Sequence, residues 1–126
     1  MLAIIGSIST SPNTINMALQ KTIALPSGIS GNYIRLTSYR YDRSTLEASA
    51  IFALYLDAAH AQAGADYLVP VIAKLRLSGA KFTQYLGAEA LADHQVLAQL
   101  YVAAKAETLL AGGGLTSVTL DDAIDV

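Results

Sequence analysis

The sequence predicts an α+β fold: an antiparallel β-sheet of three to five strands with a packed C-terminal helix and flexible termini. Three features point to it. Residues 32–42 and 67–77 alternate apolar and polar side chains with the period of a half-buried strand. A long Ala-rich segment before Gly112, Gly113 and Gly114 carries apolar residues at helical spacing. Both ends of the chain lack a comparable pattern.

In 67–77, Val69, Val71, Ala73, Leu75 and Leu77 alternate with Leu68, Pro70, Ile72, Lys74 and Arg76. Pro70 has no N–H to give to a ladder, so the strand begins near it or runs along an edge there. In 32–42, Ile34 and Leu36 share one expected face, and Tyr33, Arg35, Thr37, Tyr39 and Tyr41 the other, with aromatic and β-branched residues favouring a strand. Pro26, Gly28 and Gly31 form its entry turn, and Asp42, Arg43 and Ser44 lead into a hairpin connection.

Residues 45–57 read two ways. Leu46, Ala48, Ala50, Phe52, Leu54 and Leu56 alternate as a returning strand would, whereas Ser44 and Glu47 have capping-box spacing and the Ala/Leu content suits a helix. Residues 57–64 predict a short helical crossover closed by Gly64. Ser78 and Gly79 open a short helix over Phe82, Tyr85 and Leu86, interrupted at Gly87. The long helix starts at Glu89 or Asp93 and runs to Ala111, with Leu97, Leu100, Tyr101, Ala104 and Thr108 on one side and the three glycines as its stop. Near the start, Ile15, Met17 and Leu19 alternate as a further strand, or Ser11 and Pro12 start a helix through Leu19. One domain is expected over 1–126: an N-terminal arm or strand with loop (1–31), an α+β core (32–111) and a Gly-hinged C-terminal tail (112–126).

Composition limits the function. Of 126 residues, 53% are hydrophobic and 14% charged, against about 25% charged in an average soluble protein, which leaves apolar surface for partners. No charge occurs before Lys21, yet Ser, Thr, Asn and Pro break that apolar stretch, so it reads as neither a membrane span nor a signal peptide. A net charge of −2 with eight basic residues scattered along the chain speaks against nucleic acid. With no cysteine there is no disulfide, thiolate ligand or cysteine nucleophile.

The chain offers no catalytic, cofactor-binding or metal-binding constellation. His60 and His94 lie on different expected elements, without a partner at ligand spacing. Asp121 and Asp122 are adjacent and diverge, unlike an acid/base pair across a cleft. The glycine triplet follows its helix, where a phosphate loop precedes one. No Gly-x-Ser-x-Gly elbow is present. Tyrosine is the conspicuous residue type, seven in all, and its large ring with a polar tip suits an interface.

The run Tyr33-Ile34-Arg35-Leu36-Thr37-Ser38-Tyr39-Arg40-Tyr41-Asp42, a strand ending Tyr55-Leu56-Asp57, the crossover Ala58 to Gly64, and a strand ending Leu77-Ser78-Gly79 follow one another. Continued through Phe82, Tyr85 and Leu86 into an Ala-rich helix, this succession resembles small virion structural proteins of tailed bacteriophages, of tail, baseplate or neck type. The resemblance implies a multicopy, non-enzymatic subunit without cofactor. Its partners would be other virion structural proteins and copies of itself, not nucleic acid or membrane. It would reside in the virion and be assembled in the host cytoplasm. It also favours a strand over 45–57. The expected subunit interface comprises Tyr33, Arg35, Tyr39, Tyr41 and Pro70, with a module binding a ligand or peptide between sheet and helix as the alternative.

Overall fold

The computed structural model describes residues 18–64, 66–92 and 95–126. Strands β1 (Leu19–Ala24), β2 (Ser30–Asp42), β3 (Glu47–Tyr55), β4 (Val69–Ser78), β5 (Leu110–Ala111) and β6 (Ile124–Asp125) build one sheet in the order β5-β4-β3-β2-β1-β6. Every pairing is antiparallel. Helices α1 (Ala58–Gln62), α2 (Ala80–Leu86) and α3 (Val96–Ala106) complete the described elements. The α+β class and antiparallel sheet match the expectation, with six strands among the described residues where three to five were expected. Two of the additional strands are two-residue segments, too short to show alternation.

Residues 45–57 resolve as strand β3, the centre of the sheet. Cross-strand partners share a face, so Ala50 and Phe52 lie on the same side as Leu75 and Ala73 of β4. Ile34 and Leu36 of β2 join them through Leu54 and Phe52. Above this face pack Phe82 and Leu86 of α2 and Leu100 and Tyr101 of α3, all buried. Phe52 and Tyr101 meet edge to face with centroids 5.6 Å apart, an arrangement the ring quadrupoles favour.

The two junctions either side of β4 explain how the helices are placed. Asp57 caps α1 by accepting the His60 N–H at 2.8 Å, and Gly64 closes the turn at φ 82°. At the other end, Gly79 takes φ 57° and donates its N–H to the Leu46 carbonyl at 3.0 Å. Leu46 itself has φ 56°, a conformation that costs a branched side chain energy. The β2–β3 loop is thereby tied to the start of α2.

Three expectations need correction. The long helix is shorter than 89–111, because Glu107 is already extended (φ −104°, ψ 162°) and its carboxylate is held by Lys81 Nζ at 3.0 Å and the Tyr85 hydroxyl at 2.8 Å. Beyond it Leu109 is buried and Ala111 pairs with Ala73, although the apolar spacing runs on. The glycine triplet therefore caps no helix. Gly112 donates to the Ile72 carbonyl at 3.0 Å, and a Cβ there would overlap the Val71 carbonyl oxygen.

Residues 112–126 are likewise no loose tail. Val118, Leu120 and Ala123 are buried in the main core, while the acidic neighbours reach out to cations, Asp122 to Lys21 (2.8 Å) and Asp125 to Lys105 (3.4 Å). Near the N-terminus, Leu19 opens β1, and the expected positions Ile15 and Met17 lie outside the described residues. Pro70 is the second residue of β4, as its missing N–H requires.

Candidate interaction surface

The face of β2 changes partway along the strand. Leu36 pairs with Phe52 but Ser38 with Ile51, so Thr37 is an extra residue, a β-bulge. An inserted residue exchanges the faces of everything beyond it. Tyr39 and Tyr41 consequently pair with the core-facing Ala50 and Ala48, on the helix side of the sheet. Arg40 and Asp42 turn to the back face instead.

This divides the expected interface. Tyr33 is buried, clustered with Ala61 of α1 and Ala18 and touching Tyr55 edge to face at 6.2 Å. Arg35 is half-buried on the same back face, opposite Ala53. Tyr39 and Tyr41 lie on the other face, stacked at 6.5 Å with planes 8° apart and 45% and 42% exposed. Pro70 is exposed where the β3–β4 register shifts between Leu54–Val69 and Phe52–Ala73. The five do not form one patch.

A different set is brought together. The central Ser49 of β3 pairs with Arg40 on one side and Arg76 on the other. One step along, Ile51 pairs with Ser38 and Lys74. Arg40, Arg43, Lys74 and Arg76 line an open trough of about 830 Å³ at the hairpin end of the sheet, together with Asp42 and Glu47. Arg35 lies further along the back face. These five are the majority of the eight basic residues, and none is in an ion pair among the described residues; the cations that are paired are Lys21, Lys81 and Lys105, with His60 on Asp57. Residues scattered in the sequence are gathered by register.

One of the two anions in the trough is fixed. Asp42 accepts from the Ser44 hydroxyl at 2.6 Å and the Ser44 amide at 2.8 Å, bonds that hold its carboxyl below the usual range. Asp42 stands directly opposite Glu47, and like charges so placed repel.

Pairing of β1 to β2 reaches only from Ser30 to Ile34, so among the described residues no strand lies beside Ser38 to Asp42. The Leu36 N–H is met by the Tyr101 hydroxyl at 2.7 Å, which stands where a neighbouring strand would. Unpaired edges of this kind pair readily with another chain.

Among the described residues, no three His, Cys, Asp or Glu side chains come together to hold a metal. His60 is exposed and bound to Asp57 at 2.7 Å, and His94 lies outside the described residues. No described helix is long and apolar enough to cross a membrane. Comparison with protein-family models, curated proteins and solved structures returns no match.

Proposed function

We propose that this chain is a non-enzymatic structural subunit that works by fitting against copies of itself and against companion proteins, in the setting of a bacteriophage tail, baseplate or neck. The phage setting rests on the succession of elements from Tyr33 through the Ala-rich helix to Leu110 that resembles small virion proteins. It carries with it residence in the virion after assembly in the host cytoplasm, and no cofactor.

The observation that carries the assembly reading is the outer end of the β2–β3 hairpin, which no described strand flanks on the β2 side. One face presents stacked, half-exposed tyrosines, the other a trough with four cations and two anions, and along the edge between them no described strand pairs with Ser38 to Asp42. Aromatic and arginine side chains of this kind are enriched at protein interfaces. The alternative, a ligand held between sheet and helices, meets a filled layer in which Phe52, Leu75, Leu100 and Tyr101 are buried against one another.

The test is the mass of the native protein in solution as its concentration rises, alone and with co-expressed particle proteins. The assembly reading expects multimers or a defined complex. A monomer at every concentration that joins no particle component contradicts it.

A further inference from the structure

The trough at the hairpin end identifies the chemistry of what docks there, given the subunit reading above. Arg40 and Arg76 flank Ser49 from opposite sides. Across two strand spacings their backbones lie roughly 10 Å apart, and a hydroxymethyl group is the only side chain between them. Lys74 follows Arg76 on the same face of β4, and Arg43 closes the loop end. The chain as a whole carries a net charge of −2, so this concentration of positive charge runs against the average of the molecule.

We propose that this trough binds a carboxylate-bearing extended polypeptide segment of a neighbouring subunit, with a Glu or Asp side chain received between Arg40 and Arg76. Guanidinium groups bond carboxylates through two parallel N–H donors, which fixes orientation as well as charge. An extended segment presents alternate side chains to one side, so its carboxylates meet the cations at every second residue.

Two features favour a polypeptide over a nucleic acid. Asp42 and Glu47 stand inside the trough; they oppose an unbroken row of phosphates but are passed over by a segment whose charges are spaced. The tyrosines of the hairpin end, Tyr39 and Tyr41, stand on the opposite face from these cations and stack on each other, whereas proteins that bind single strands set open rings beside their cations for bases to stack on.

The experiment is a fluorescence-anisotropy titration of the full chain with a fluorescein-labelled peptide of alternating glutamate and valine, with labelled oligothymidylate in a parallel arm. Saturable peptide binding is expected, weakened at least about tenfold by R40A/R76A and by raising salt to about 0.5 M. K105A, on the far helix, should leave it unchanged. The proposal is overturned if the peptide does not bind, if R40A/R76A binds it equally, or if oligothymidylate binds more tightly. Displacement by millimolar inorganic phosphate would also overturn it, because the trough would then be a general anion site. Failure here with assembly intact moves the subunit contact elsewhere, whereas peptide binding by a permanent monomer removes the subunit reading and leaves this site.

Discussion

The Tyr101 hydroxyl accepts the Leu36 N–H at 2.7 Å, joining the middle of α3 to the place where the described pairing of β1 with β2 has ended and β2 begins its bulge. One side chain thus satisfies an edge amide and packs its ring on Phe52. Two residues later begins Ser38 to Asp42, beside which no described strand lies.

Tyr101→Phe keeps the ring and removes the acceptor, so it should cost about 1–2 kcal/mol near neutral pH, measured by urea denaturation. Burial pushes the Tyr101 phenol up to about 12 from an ordinary 10.0. Because the folded-state value lies above the unfolded one, this contribution is complete below about pH 10 and is lost as pH rises through about 12. The stability gap between the native protein and Tyr101→Phe should therefore narrow over that alkaline window. A gap that does not change with pH would contradict the assignment.

Glu107 ends α3 and binds both Lys81 and Tyr85 of α2. The Lys81 ammonium first, and the Tyr85 hydroxyl next, hold its carboxyl below the ordinary 4.5. A depressed value means stability that is present above the unfolded pKa and lost as pH falls through the folded one. Glu107→Gln should be less stable than the native protein near neutral pH, and the two melting temperatures should converge in acid, below the ordinary carboxylate range.

Gly112 lies against the Val71 carbonyl with no space for a Cβ. Gly112→Ala must push β5 away from β4 and loosen the bond to Ile72, at a cost of about 2 kcal/mol or more. Thermal melting is the check. Gly64→Ala is the contrasting variant: no atom crowds a Cβ there, so its smaller loss reflects the positive φ alone, about 1 kcal/mol.

Much of the fold is legible in the chain because its signals are local. The alternation in β3 and β4, Asp57 and Gly64 around α1, and Gly79 and Gly87 around α2 each act within a few residues. The missed features depend on distant partners. The spacing of Leu109 to Ala111 is as good for a helix as that of Leu97 to Ala104, and only the tie from Glu107 to α2 and the edge of β4 decide otherwise. Val118 and Leu120 are a short apolar alternation that gains meaning once a core waits for them. The bulge at Thr37 left no mark, since Tyr39, Arg40, Tyr41 and Asp42 alternate plausibly in either register. That insertion placed the tyrosines on the face opposite the one expected and carried Arg40 to Arg76, two residues that only the pairing of three strands makes neighbours.

The central claim is that the outer part of the β2–β3 hairpin is a contact surface, and hydrogen exchange at the Tyr39 and Tyr41 amides tests it most directly. Rapid exchange in the isolated chain and strong slowing in the assembled particle is the predicted result. Equal exchange in both states, with slowing confined to other parts of the chain, would contradict it.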